Sequence, residues 1–422
     1  MVPALIVFGI TYVLLLSFQK FRPYIALAAG VVFSFMAGFN GWDVFNAIDW
    51  NVLMMIAGTM GTVYLFIESK MPDRLADIII NKVPNVKWAT IWLSLFAGLI
   101  SAFVDNVATV LMIAPVALNI SKKLKLSPVA MIIAIAVSSN LQGAATLVGD
   151  TTSIMLAGAL DMNFLDFFWY ASRPGLFWVV QAGAVVSAFI LAWLFRKEKA
   201  PIESHAKTEV KDYFPTVLLL GTILLLILAS FIENKPAETN GYICVALMVI
   251  GVVRELIFKK NKAIVKNVFN EIDFYTLGLL TGLFVVIAGI EKLGVIAAIS
   301  EFFVMVGGGN PLLIYTLIVW ASVLFSAVID NIPYVAAMLP VVAGISSQLG
   351  MDPTLLSFGL LVGATLGGNL TPIGASANIA GTGILRNAGY EVKNRDFFRI
   401  GIPFTLAAVI AGYVLVYVFW GI

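Results

Sequence analysis

The sequence holds one cysteine, Cys244, and one histidine, His205. A single cysteine excludes a disulfide framework within the chain and argues against a thiolate metal site. Cys244 lies inside an apolar run and reads as a packing residue. His205 lies in a polar stretch, which excludes a membrane-embedded histidine relay. Charge is scarce: 12% of residues are Asp, Glu, Lys or Arg, against roughly 25% in soluble domains. The net charge of +2 gives no reason to expect a nucleic-acid partner. There is no Walker motif, which argues against ATP coupling within this chain. No Ser/His arrangement, catalytic Asp pair or zinc-ligand spacing supports an enzyme. Residues 1–18 lack a basic leader and a small-residue cleavage site, so they are expected to stay as a first helix.

What the chain has in excess is apolar length. Hydrophobic residues make up 60% of it, and the mean hydropathy is +0.98. A helix needs about 20 apolar residues to cross a bilayer core of roughly 30 Å. On that basis the sequence predicts about ten full spans, at 3–18, 23–39, 50–68, 127–160, 174–196, 213–232, 240–258, 274–291, 354–386 and 400–420. The spans 127–160 and 354–386 are too long for single helices and have Gly- and Thr-rich centres, so each is predicted to be broken. The regions 88–120 and 310–346 each read as two short apolar arms around a central Asp-Asn. Such arms point to re-entrant hairpins, with two short full helices and a tight turn as the alternative. Segments 71–84 and 294–306 read as interfacial helices. The fold class is an all-α polytopic membrane protein with discontinuous helices.

Lys and Arg set the orientation. Basic clusters occur at Lys20 and Arg22, Lys70 and Arg74, Lys122 to Lys125, Arg196 to Lys211, Lys259 to Lys266, and Arg386 to Arg399. All fall inside if the N-terminus is outside and each hairpin returns to its own side. The polar, cytoplasmic linker 197–212 separates a first unit, 1–196, from a second, 213–422.

The two units match at a fixed offset of 225 residues. Residues 101–160 pair with 326–385 without a gap, and 19 of 60 positions are identical. Asp105-Asn106 matches Asp330-Asn331, Pro115 matches Pro340, and Gly143, Thr146 and Gly149 match Gly368, Thr371 and Gly374. Chance similarity between apolar segments does not pair Asp-Asn, Pro and Gly at one register. With the charge-derived topology, the second unit is inverted relative to the first. Inverted repeats with broken helices point to secondary transporters, with the site near the membrane midplane. Unwound backbone survives at that depth only where protein or a polar cavity satisfies it.

The first candidate constellation is Ser101, Asp105, Asn106 and Thr109, with its twin Ser326, Asp330 and Asn331. A carboxylate at membrane depth is costly and is by default a functional hypothesis. Asp is also a good N-cap, so capping of each second arm is expected as well. The second constellation is Asn140, Thr146, Asp150, Thr151, Thr152 and Ser153, with its twin Asn369, Thr371, Ser376 and Asn378. Oxygen-rich unwound backbone suits a hard cation such as Na⁺, and free half-helix N-termini suit an anion. The alternative is a kinked packing helix whose Ser and Thr bond their own backbone. Na⁺ is expected near Asp105, Asp150 and Asp330, with H⁺ as the other coupling ion and no further cofactor. Asp49, Asp273, Glu68 and Glu291 sit near span ends and read as interfacially solvated. Arg254 and Glu255 read as a pair near the inner face. No membrane Arg or Lys stands out as a partner for the three acids, so a multivalent anion would need bound cations.

These residues resemble the ion transporter superfamily, in the branch of arsenite permeases, D-type sodium–proton antiporters and the P-protein, with a citrate-transporter-like domain. The resemblance covers nearly the whole chain. Its most specific stretches are Ser-Ala-Phe-Val-Asp-Asn-Val at 101–107, Ser-Ala-Val-Ile-Asp-Asn-Ile at 326–332, and Gly-Gly-Asn-Leu-Thr-Pro-Ile-Gly-Ala-Ser-Ala-Asn at 367–378. It implies inverted repeats, re-entrant hairpins, a homodimer, elevator-type transport and a site at the hairpin tips and unwound segments. Related proteins often carry Gly-Asp-Pro-Pro-Asn where this chain has Gly149-Asp150-Thr151-Thr152-Ser153.

The expected function is secondary transport across a plasma membrane of the bacterial inner-membrane type. The cargo would be a small oxyanion, arsenite-like metalloid or carboxylate, coupled to H⁺ or Na⁺. Cation–proton exchange without an organic solute is the rival, and a passive channel is a third reading. Expected partners are membrane lipid, the small solute or ion, and a second copy of the chain.

Overall fold

The computed structural model describes residues 1–202 and 207–421; His205 lies outside the described residues. The first half comprises α1 (Val2–Ser17), α2 (Arg22–Ala37), α3 (Gly41–Ala47), α4 (Trp50–Glu68), α5 (Met71–Ile80), α6 (Val86–Ser101), α7 (Asn106–Leu124), α8 (Val129–Gly143), α9 (Thr151–Leu160) and α10 (Leu176–Leu194). The second comprises α11 (Phe214–Ala229), α12 (Thr239–Phe258), α13 (Ala263–Glu271), α14 (Phe274–Lys292), α15 (Val295–Val306), α16 (Pro311–Ser326), α17 (Asn331–Leu349), α18 (Thr354–Gly367), α19 (Ser376–Asn387) and α20 (Asn394–Trp420). A short antiparallel ribbon, β1 (Trp169–Tyr170) with β2 (Arg173–Pro174), is an addition to the all-α expectation. Its turn residues Ala171 and Ser172 both take positive φ, as tight hairpins require.

The hairpin arms of the two halves begin and end in register. The arms α6 and α16, and α7 and α17, share the 225-residue offset at both ends. The local signals are the same in each case. Asn85 and Asn310 cap the first arms through their side chains. Asp105 and Asp330 cap the second arms, accepting from Val107 N at 3.0 Å and Ile332 N at 3.2 Å. Each such cap contributes about 1 kcal/mol. Lys125 and Gly350 then end those arms in the left-handed conformation.

The second arms are longer than the sequence predicts. Each has 19 residues and passes through its internal proline, Pro115 or Pro340. Proline removes one helical N–H but need not end a helix that packing supports on both sides. Both arms are therefore long and apolar enough to cross a membrane. Among the described residues there are eight such helices, or nine if α15 and α16, bent by 113°, count as one. The count falls below ten because α1 and α11 have 16 residues each and the regions 127–160 and 354–386 are each two shorter helices.

The halves interlock. Helix α14 packs on α2 and α4 on α12. At the crossings, a Cβ on Gly282 would lie 2.3 Å from the Ala26 backbone, and one on Gly58 would lie 2.4 Å from the Cys244 backbone. On the outside, α1 exposes Ile6, Ile10 and Val13, and α11 exposes Val217, Leu220 and Leu224. Such apolar faces belong against lipid. The broken helices lie at the centre: α18 is buried along its whole length and α8 at all positions but Ala130. Arg254 pairs with Glu255 as expected, and both join a cluster with Asp212 and Lys259.

Candidate functional site

The breaks in α8/α9 and α18/α19 are built from the same contacts. Thr146 Oγ1 donates to the Ala102 carbonyl, and Thr371 Oγ1 donates to the Ala327 carbonyl at 2.5 Å. A Cβ on Gly149 would meet the Gly143, Ser101 and Ala102 carbonyls at 2.6, 2.8 and 2.9 Å. One on Gly374 would meet the matching Gly368, Ser326 and Ala327 carbonyls at 2.6, 2.7 and 2.9 Å. Each broken segment thus lies directly against its own hairpin tip. Only glycine permits that approach of backbone to backbone.

Both tips and both breaks open onto one cavity of about 290 Å³. Of the predicted site residues, Asp105, Asn106, Asp150, Thr151, Asp330, Asn331 and Ser376 line it. The acids share the cavity without converging on a point: among the described residues no three acidic, His or Cys side chains form a metal-ligand cluster. The cavity walls include Ile67 and Leu111, which also wall a second space of about 580 Å³ of mixed charge, with Lys70, Lys122 and Lys123 beside Asp73 and Asp77, and Lys70 paired to Asp73. A further cavity of about 370 Å³, with Arg399 and Glu391 on its wall, contains neither a tip nor a break.

Behind the cavity is a buried amide network. Asn106 Nδ2 donates to Asn140 Oδ1 at 3.1 Å, and Ser139 Oγ donates to the Asn106 carbonyl at 2.9 Å. Asn140 Nδ2 donates to the Thr365 carbonyl at 2.7 Å and to Asn369 Oδ1 at 3.2 Å. Asn369 Nδ2 donates to the Val137 carbonyl, and Asn378 Nδ2 to Gly368 O and Thr371 O. Thr152 Oγ1 donates to Asp150 Oδ2 at 2.7 Å and also contacts Thr365 Oγ1. Ser153 and Ser326 bond backbone carbonyls of Gly143 and Ala364. The Ser101 and Thr109 hydroxyls and Asn378 Oδ1 are buried without a hydrogen-bond partner among the described residues. So Asn140, Asn369, Asn378 and Thr152 support the site from behind, Thr146, Ser153, Ser326 and Thr371 bond backbone carbonyls, and Asp105, Asn106, Asp150, Thr151, Asp330, Asn331 and Ser376 face the space.

Two groups depart from the sequence reading. Asp273, read as interfacial, lines the cavity together with Glu271 and Thr276. It caps α14, accepting from Thr276 N at 3.0 Å and Thr276 Oγ1 at 2.5 Å. Its sequence echo, Ile48-Asp49-Trp50 against Ile272-Asp273-Phe274, signals the helix cap but is shared with Asp49 and so does not single out Asp273. The second departure is Arg22, read as one of the inner basic residues. Arg22 is 6% exposed and its Nη1 lies 3.3 Å from Asp330 Oδ2. The expectation that no Arg or Lys partners the acids is therefore corrected. The signal was Arg22-Pro23 placed directly on the first turn of an apolar span, where the guanidinium is drawn into the protein.

This fold and site define a multi-pass membrane transporter. The citrate transporter family profile matches residues 12–363, and the chain belongs to that family. The chain is 30% identical to the "46 kDa membrane protein" of Mycobacterium leprae over 421 residues, covering 96% of each. It is 28% identical to the human P protein, covering 87% of this chain and 54% of that one. Among solved structures, the Alcanivorax borkumensis YdaH transporter superposes with a TM-score of 0.59 at 14% identity, covering 88% of this chain and 85% of that one. Neisseria gonorrhoeae MtrF superposes with a TM-score of 0.55 at 16% identity, covering 88% and 81%. At those identities the likeness is one of fold.

Proposed function

We propose that this protein is a secondary active transporter for a small anionic solute of the carboxylate or arsenite-like class, coupled to Na⁺ or H⁺. The observation that carries the reading is the single cavity at which both hairpin tips and both helix breaks meet. Membership of the citrate transporter family favours a carboxylate among the anions. The carboxylates of the site itself would hold the coupling cation. We further propose that the two matched halves are inverted, that the tips and breaks move together against α2, α4, α12 and α14 in an elevator motion, and that the chain acts as a homodimer. Na⁺/H⁺ exchange without an organic solute is the second reading, favoured by the cavity's excess of acid over base.

The test is flux in proteoliposomes with citrate or arsenite as probe and imposed Na⁺ or H⁺ gradients. Gradient-driven solute uptake supports the carrier reading. Proton movement driven by Na⁺ alone, with no solute uptake, transfers the assignment to the exchanger. Solute flux indifferent to both gradients defeats both readings.

A further inference from the structure

Asp105 and Asp330 are equivalent in the 225-residue register, yet they are held differently. Asp105 Oδ1 accepts from Val107 N and Ala108 N at 3.0 and 3.1 Å. The position matching Ala108 is Pro333, which has no N–H, so Asp330 Oδ1 caps through Ile332 N alone. Asp330 Oδ2 accepts instead from Arg22 Nη1. The guanidinium is aimed by its second bond, from Nε to the Leu15 carbonyl at 3.0 Å. Beside it, the Tyr12 hydroxyl donates to the Pro333 carbonyl at 3.1 Å. The α1–α2 corner thus grips the second tip at two points. Among the described residues, the ion pairs include none to Asp105.

We propose that Arg22 is a dedicated internal counter-ion for Asp330, so that the two matched aspartates do different work: Asp330 anchors the second tip, and Asp105 faces the cavity uncompensated. The proposal rests on the transporter reading for its functional half only. A half-buried carboxylate beside a buried guanidinium is already neutralised, and an arriving cation meets a weaker field there than at an unpaired carboxylate. Removing one member of a buried pair strands the other charge, whereas removing both does not. That asymmetry makes the pairing testable.

The test uses full-length protein carrying Arg22→Gln, Asp330→Asn, or both, and Arg22→Gln with Asp105→Asn. Melting of the detergent-purified protein is expected to fall in each single variant of the Arg22–Asp330 pair and to return close to wild type in the double. Arg22→Gln/Asp105→Asn is expected to stay as low as Arg22→Gln. In proteoliposomes with citrate, Arg22→Gln alone is expected to lower flux roughly tenfold, because it strands the Asp330 charge on the cavity wall. A double as unstable as its singles, or equal rescue by Asp105→Asn, overturns the proposal. Melting needs no substrate, so a wild type that carries no probe defeats the transport reading while the melting cycle still judges the pair.

Discussion

Asn140 donates its side-chain amide to the carbonyl oxygen of Thr365 at 2.7 Å, and Thr365 stands at the position matching Asn140 in the 225-residue register. Two equivalent positions can touch only where their halves meet. The contact therefore marks the line along which α8 and α18 face each other, and the amide network radiates from it to both breaks. Asn140→Ala removes donors to Thr365 and Asn369 and the acceptor for Asn106. The expected cost is about 2–4 kcal/mol, since buried polar groups lose their partners. Thermal denaturation of the purified protein measures it, and an unchanged melting temperature would show that the network is not structural.

Gly149→Ala and Gly374→Ala are expected to be damaging to a similar degree. Each new Cβ would lie within 2.9 Å of three carbonyl oxygens, so a break must move away from its tip. Overpacking of this kind costs roughly 1–3 kcal/mol. Folded protein recovered per unit of membrane, together with its melting temperature, reports the effect. A fully stable variant at either position would mean that the tip and the break are not locked together.

Asp105→Asn and Asp330→Asn are each expected to lower flux by about tenfold or more, in line with the cost and functional weight of carboxylates at membrane depth. The reasons differ. The first removes the carboxylate that faces the cavity, and the second strands Arg22. Initial rates at equal membrane abundance decide the matter, and wild-type rates in either variant would remove that aspartate from the functional set.

The proposed inversion of the halves predicts that cysteines at Lys123 and Asn310, in a Cys244→Ser background, label from opposite sides of the membrane. A membrane-impermeant maleimide applied to right-side-out and inside-out vesicles should reach position 310 from outside and position 123 from inside. Labelling of both from one face would refute the inversion.

A pH test falls on the cluster of Asp212, Arg254, Glu255 and Lys259. Burial pushes the Asp212 carboxyl up, but hydrogen bonds from Arg254 and Lys259 outweigh this and hold it at about 2, below its ordinary 3.8. A carboxyl held low contributes stability that is complete above its unfolded value and lost as pH falls through its folded one. The melting penalty of Asp212→Asn should therefore be the same at pH 7 and about pH 5, and shrink between about pH 4 and pH 2. A penalty that already fades between pH 7 and pH 5 would show that the ion cluster does not hold this carboxyl.

Much of this architecture is legible in the chain itself, and the reason is that its determinants are local. Apolar run lengths mark helices such as Trp50–Glu68 and Phe274–Lys292 to within a residue. Asp105 and Asp330 show where the second arms start, because an N-cap is chosen by the first turn it serves. Gly149 and Gly374 mark the breaks, since backbone that must approach backbone admits no side chain. The second arms run to Leu124 and Leu349, beyond the expected ends at 120 and 346, because packing from neighbouring helices extends them past what the apolar run alone marks.

What only the tertiary structure decides is which polar groups share a space and which neutralise one another. Arg22 and Asp330 are 308 residues apart, and Asn140 and Thr365 are 225 apart. Nothing in the spacing of either pair distinguishes a solvated charge from a buried one. Asp49 and Asp273 carry the same local pattern and both cap a helix, yet Asp273 is the one on the cavity wall. A cap depends on the next three residues, whereas a cavity depends on which distant helices close around it. The sequence therefore determines the helices, their breaks and their matched register, while burial and charge pairing are properties of the assembled chain.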